Sequence, residues 1–239
     1  MSYQAVFKRY EIKYLITAEQ KRKVLEAMSP HMSLDKYGRT TIRNIYFDTD
    51  SYLLIRRSIE KPVFKEKLRI RSYQKITDNE PVFVELKKKY KHVVYKRRLS
   101  LPEKDATAWI SSGQKPGTSS QISNEIDYFV QHYQSLKPKL FLSYEREAFY
   151  ENSGGDFRVT FDENILGRTE DLTLSADPWG SPLLEDGMTL MEIKTAGGIP
   201  LWMTKALSDN RIFKTSFSKY GTFYRTVILP KCKGGFLYA

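Results

Sequence analysis

The chain has 239 residues, in which Lys and Arg (39) exceed Asp and Glu (28) by 11, with 41% hydrophobic and 13% aromatic side chains. That composition supports a packed core, excludes a collagenous or low-complexity chain and argues against disorder. One cysteine (Cys232) and three scattered histidines (His31, His92, His132) exclude an intrachain disulfide and a Cys/His zinc site.

No window of about 18 apolar residues and no basic-then-apolar start is present, so a cytoplasmic protein is expected. In chain order, Val6 to Ile16 alternates like a strand, and Thr17-Ala18-Glu19-Gln20 is a capping-box pattern that opens a helix through about Ser29. Arg39 to Asp48 reads as a strand, followed by a short helix through about Arg57 capped by Asp48-Thr49-Asp50. Phe64 to Tyr73, Pro81 to Lys89 and Val93 to Leu101 form a three-strand meander, and Pro102 starts a helix carrying Trp109. A polar stretch from Ser111 to Ser120 is a loop, and Ser123 to Leu136 an amphipathic helix. Further strands are expected at Lys139 to Tyr150, Phe157 to Asp162, Thr169 to Leu174 and Met188 to Thr195. Helices follow from Pro200 to Asn210 and from Phe217 to Ile228. No linker divides the sequence, so residues 1–239 read as one α+β domain with a largely antiparallel sheet.

The surplus of positive charge points to a polyanionic partner, and strand phase says where the charge sits. Side chains alternate across a strand, so one face of Phe64 to Tyr73 carries Lys65, Lys67, Arg69 and Arg71. Same-face neighbours lie roughly 6.5–7 Å apart and repel unless an anion covers them. The same arithmetic puts Glu beside Lys on three strands: Glu11 with Lys13, Glu85 with Lys87, and Glu192 with Lys194. It also puts Tyr144 beside Arg146, and Arg158 beside Thr160 and Asp162. For Lys96-Arg97-Arg98 the run covers both faces, and phase does not decide which cations point inward. A closed antiparallel β-barrel of about eight strands, with helices packed outside on the apolar face and a wet basic lumen, satisfies the pattern. Dry burial of so many charges would cost several kcal/mol per unpaired ion, so the lumen must hold water, metal and an anion. Triphosphate with a divalent cation fits, because Arg and Lys bind phosphate oxygens and carboxylates hold a hard metal.

The motifs Arg9-Tyr10-Glu11-Ile12-Lys13-Tyr14, Leu68-Arg69-Ile70-Arg71, Val84-Glu85-Leu86-Lys87, Tyr144-Glu145-Arg146, Arg158-Val159-Thr160-Phe161-Asp162, Glu192-Ile193-Lys194 and Phe217-Ser218-Lys219-Tyr220 resemble, in this order, those of the VTC domain. That is the polyphosphate polymerase domain of the vacuolar transporter chaperone complex, in the CYTH-like triphosphate tunnel metalloenzyme superfamily. The resemblance implies an ATP-dependent polyphosphate polymerase with a divalent metal, Mn2+ or Mg2+. It implies Lys13, Arg69, Arg71, Lys87, Arg146, Arg158 and Lys219 as catalytic cations. Arg9, Lys67, Lys96, Arg98, Tyr144, Lys194 and Ser218 become phosphate contacts, Glu192 the metal ligand, and Glu11 and Glu85 supporting ligands. Implied partners are ATP, polyphosphate, pyrophosphate or triphosphate, together with a membrane-protein partner; the eukaryotic complexes append a sensor domain and membrane helices. Arg9 stands where related triphosphatases carry the first glutamate of Glu-x-Glu-x-Lys, which favours the VTC-like site.

The alternatives are a metal-dependent triphosphatase or polyphosphatase, in which water reaches the γ-phosphate, and a non-catalytic polyanion-binding module. Nucleic acid is not expected, since no RNP-type motif is present and the cations lie within strand faces. Trp109, Trp179 and Trp202 read as packing residues, His132 as surface, and Gly197-Gly198-Ile199-Pro200 as a strand-to-helix turn.

Overall fold

A computed structural model describes residues 10–77, 79–91, 93–117 and 119–234. Arg9, His92 and residues 6–9 of the first expected strand lie outside the described residues. β1 (Tyr10–Thr17) runs into α1 (Ala18–Met28) through the expected capping box, with Thr17 Oγ1 accepting from Gln20 N and the Gln20 side chain accepting from Thr17 N. β2 (Met32–Leu34) and β3 (Thr40–Asp48) follow. Asp48 then accepts from the Leu54 and Ile55 amides to start α2 (Leu53–Ile59). The meander is β4 (Phe64–Ser72), β5 (Pro81–Tyr90) and β6 (Val93–Pro102), leading to α3 (Glu103–Ser112) and α4 (Gln121–Tyr133). β7 (Lys137–Glu151), β8 (Arg158–Arg168), β9 (Ser181–Pro182) and β10 (Met188–Thr195) precede α5 (Leu201–Asp209) and β11 (Lys214–Thr215). The C-terminal helix starts as α6 (Lys219–Phe223), capped by Ser218. It passes a π-helical turn at Tyr224–Ile228 and ends as α7 (Leu229–Gly234).

The strands form one sheet in the order β11-β1-β10-β8-β7-β3-β4-β5-β6, with β2 on β7 and β9 on β8. Every pairing is antiparallel. The α+β class stands, but the closed barrel of about eight strands does not: the sheet has 11 strands, and no ladder among the described residues joins β11 to β6. The two flanks meet instead through side chains, Lys87 Nζ on β5 to Glu11 Oε2 on β1 at 2.8 Å. A Lys–Glu pair laid end to end spans more than the 4.7–4.9 Å between hydrogen-bonded strands, so the sheet curls without closing.

The outer face is apolar and covered by helices, as the phase argument requires. α3 and α4 lay Trp109, Ile110, Ile126 and Phe129 on Leu68, Ile70, Val84 and Leu86. α1 and α5 lay Val24, Met28, Met203 and Leu207 on Val159, Phe161, Met191 and Ile193. A third cluster sets α2 and the C-terminal helix against Ile42, Tyr46, Leu140, Leu142 and Leu190. It fills part of the inner face with side chains.

The strand expected from Thr169 to Leu174 is absent. Asp171 adopts φ 47 and Thr173 N bonds Asp171 O at 2.9 Å, a tight turn that a strand cannot accommodate. The cause is Arg168, whose guanidinium gathers the Glu170, Asp171 and Trp179 carbonyls around itself. Trp109 is fully buried and Trp202 stacks on His31, both in packing roles, whereas Trp179 is exposed. His132 is on the surface.

Candidate functional site

The register brings the described strand residues of the expected site to one face, and the start of α6 adds Ser218 and Lys219. Directly paired residues of an antiparallel ladder point the same way. Glu11 faces Lys194 and Lys13 faces Glu192 between β1 and β10, so the two Glu-x-Lys units pair with opposite charges abreast. Lys194 then faces Arg158, and Glu192 faces Thr160. Arg146 on β7 faces Asp162 on β8. Asn44 faces Arg71 and Tyr46 faces Arg69. Lys67 faces Lys87, Arg69 faces Glu85, and across the next pair Lys87 faces Lys96 and Glu85 faces Arg98. This settles the phase of the Lys96-Arg97-Arg98 run: Lys96 and Arg98 point inward, and Arg97 points outward to Glu125 at 2.8 Å.

Each inner carboxylate organises cations. Glu85 is 1% exposed, with Arg69 at 2.7 Å, Arg98 at 2.5 Å, Lys96 at 2.6 Å and Arg71 at 3.8 Å. Burial works against its charge, yet these cations hold its carboxyl well below the ordinary range. Glu192 lies between Lys13 at 3.2 Å and Lys194 at 2.9 Å, and its carboxyl is likewise held low against the effect of burial. Arg71 is oriented further by Asn44 Oδ1 at 2.9 Å and the Tyr144 hydroxyl at 3.0 Å. Arg69 donates to the Tyr46 hydroxyl at 2.9 Å. The Tyr144 phenol is pulled down to about 8: burial opposes this, and Arg71, Arg146 and Lys219 prevail.

Three groups were missed as site residues by reading the sequence. Asp162 is fully buried and takes the Arg146 fork at 2.5 and 2.6 Å and Lys219 Nζ at 2.5 Å. Its place on the Arg158-x-Thr160-x-Asp162 face was a signal for it. Asn44 and Tyr46 were missed because only the β3–β4 register places them against the arginines.

Among the described residues some inner cations lack a carboxylate. Lys67 Nζ donates to the Ser218 hydroxyl at 3.0 Å. Arg158 lies over the Tyr150 ring at 4.7 Å, with a buried Nε that has no hydrogen-bond partner among the described residues. Thr160 Oγ1 beside it is also buried without one. Such orphaned polar atoms on the inner face call for water or a ligand. The three carboxylates expected as metal ligands do not form a cluster. Among the described residues no group of three Asp, Glu, His or Cys side chains could hold a metal ion, and Glu85 is engaged by four cations. The oxygen donors of Glu192 and Glu11 suit a hard divalent cation only if substrate oxygens complete its sphere.

Residues 8–228 match the VTC domain family. Vacuolar transporter chaperone complex subunit 4 of Trypanosoma brucei brucei (strain 927/4 GUTat10.1) is 25% identical over 215 residues, a match covering 71% of this chain and 27% of that protein. The chain therefore spans about a quarter of that relative's length. A putative adenylate cyclase from Bacillus halodurans superposes with a TM-score of 0.58 at 15% identity, covering 94% of this chain and 100% of that one. A putative adenylyl cyclase from Hippeastrum, described as having a dominant triphosphatase activity, superposes with a TM-score of 0.53 at 16% identity, covering 90% and 94%. These two likenesses concern the fold. Among the described residues no helix is long and apolar enough to cross a membrane.

Proposed function

The chain belongs to the VTC domain family, and from that premise we propose that it is an ATP-dependent polyphosphate polymerase. The observation that carries this reading is the contiguous inner face on which cations from seven strands outnumber the carboxylates Glu11, Glu85, Asp162 and Glu192. A terminal oxygen of the growing chain attacks the γ-phosphorus of ATP, the β–γ bridging bond breaks, and ADP leaves. Phosphoryl transfer of this kind needs positioning and charge stabilisation more than covalent chemistry. Lys13, Arg69, Arg71, Lys87, Arg146, Arg158 and Lys219 take the oxygens of the transferring phosphoryl and its neighbours. Lys67, Lys96, Arg98, Lys194, Tyr144 and Ser218 hold the rest of the phosphate chain. Glu192, with Glu11, would hold a divalent cation, Mn2+ or Mg2+, together with phosphate oxygens; the ion would supply charge neutralisation between phosphates.

Triphosphate hydrolysis is the second reading. It is favoured by the open flank of the sheet, where the Lys87 and Lys96 side chains are each 41% exposed and water reaches the inner face. Incubation with ATP and Mn2+, followed by measurement of long-chain polyphosphate, ADP and free phosphate, tests both. Polymer with ADP supports polymerisation, and free phosphate equal to ADP supports hydrolysis. No turnover, with tight polyphosphate binding unaffected by Glu192→Ala, overturns both. A membrane-protein partner, as the name of the trypanosomal relative suggests for its complex, belongs to this proposal too.

A further inference from the structure

Among the described residues most inner cations sit against a carboxylate, and Lys67 does not. The Ser218 hydroxyl that accepts its hydrogen bond also accepts from Gly221 N at 3.2 Å, as the cap of α6. Among the described residues the charges that act most strongly on Lys67 are cations from three strands: Lys65 and Arg69 flank it on β4, Lys87 pairs with it directly on β5, and Lys13 faces it from β1. The carboxylates of the neighbouring elements are committed elsewhere. Glu11 holds Lys87, Glu192 holds Lys13, and Glu85 holds Arg69. At the end of β3, Asp48 accepts from the Thr49, Leu54 and Ile55 amides and from the Tyr220 hydroxyl. From α6, Lys219 sits on Asp162.

An ammonium in this place is repelled on several sides and loses hydration, and a hydroxyl partner returns little, because it bonds an amine about as well. Burial, joined by the repulsion of Lys13, Lys65, Lys87 and Arg69, pushes Lys67 down to about 7. We propose that near pH 8 Lys67 stands on the anion-free inner face largely as a neutral amine and becomes an ammonium when a phosphate chain binds, so that binding takes up a proton from solvent. A phosphate beside Nζ reverses the local potential and favours the charged form, and the proton comes from water or buffer. The complex then carries more protons than its separate components. Affinity for the chain therefore falls as pH rises above the point where free Lys67 loses its proton. The empty tunnel is spared one repulsive charge, and the filled tunnel gains it.

This inference rests on the tunnel being a triphosphate site, and it does not depend on turnover. The test is calorimetric titration of the full chain with inorganic tripolyphosphate in EDTA near pH 8, in two buffers of different ionisation enthalpy, which yields the protons exchanged. Wild type should take up about one proton more than Lys67→Arg, whose guanidinium is always charged, and about one more than Lys67→Met. Lys96 and Tyr144, both pushed down to about 8, are common to the three proteins and cancel in the difference. The affinity of Lys67→Arg should also depend less on pH than that of wild type. Binding with equal proton uptake in wild type and both variants overturns the proposal alone. Absence of tripolyphosphate binding to wild type overturns the tunnel reading and the proposal with it.

Discussion

Asp162→Asn is the most informative single substitution, because it preserves shape and removes one charge from beneath two cations. Asp162 is fully buried and bonds Arg146 at 2.5 and 2.6 Å and Lys219 at 2.5 Å. Burial raises its carboxyl, but Arg146 and then Lys219 outweigh that and hold it down at about 2 against an ordinary 3.8. The gap is worth about 2 kcal/mol. For a depressed carboxyl this stabilisation is complete above the ordinary value and is lost as pH falls through about 2. Removing one partner of a buried pair costs about 3–5 kcal/mol when the other stays uncompensated. The expected loss at neutral pH is therefore about 2–4 kcal/mol, or about 5–15 °C in melting temperature for a chain of this size. Added tripolyphosphate should narrow that deficit, since a phosphate oxygen can give Arg146 and Lys219 the negative charge that Asn lacks. The assay is thermal unfolding at pH 7 of both proteins with and without saturating tripolyphosphate. A deficit that tripolyphosphate leaves unchanged would refute the link between Asp162 and the anion site, and one below about 1 kcal/mol would refute the pairing energy itself.

Glu85→Gln strips four cations of their shared counter-ion, and turnover should fall by about 100-fold or more, corresponding to about 3 kcal/mol of lost positioning. Its metal concentration for half activity should not move; a shift would mark Glu85 as a ligand. Ultraviolet titration should show one tyrosinate forming near pH 8, absent in Tyr144→Phe and displaced upward by tripolyphosphate; no tyrosinate by about pH 9 contradicts this. Trp109→Ala empties a fully buried site and removes the bond to Asp127 at 2.9 Å. Denaturant unfolding should show a loss of about 3–5 kcal/mol with tripolyphosphate affinity per folded molecule unchanged.

The two-residue period was legible because it is local. Lys67, Arg69 and Arg71 share a face whatever strand they pair with, and Leu68 and Ile70 must take the other. Helix starts were legible for the same reason: the Thr17 and Gln20 reciprocal cap closes within four residues. The segment after Arg168 reads locally as a strand, but its turn is imposed by a guanidinium whose position depends on β7 and Trp179.

By itself the sequence determined that the chain has strands with one basic and one apolar face, and the motifs by which it resembles its family. Tertiary structure decided which face turned inward, because α1, α3, α4 and α5 cover the apolar one. It also decided which carboxylate holds which cation. Register is a long-range property, and a one-residue slip would exchange the faces. The same register set Glu85 among four cations, brought Asp162 beneath Arg146 and Lys219, and left Lys67 among cations with, among the described residues, only a hydroxyl partner. Whether the sheet closed was likewise decided at a distance, by side chains of β1 and β5 that meet where backbones do not.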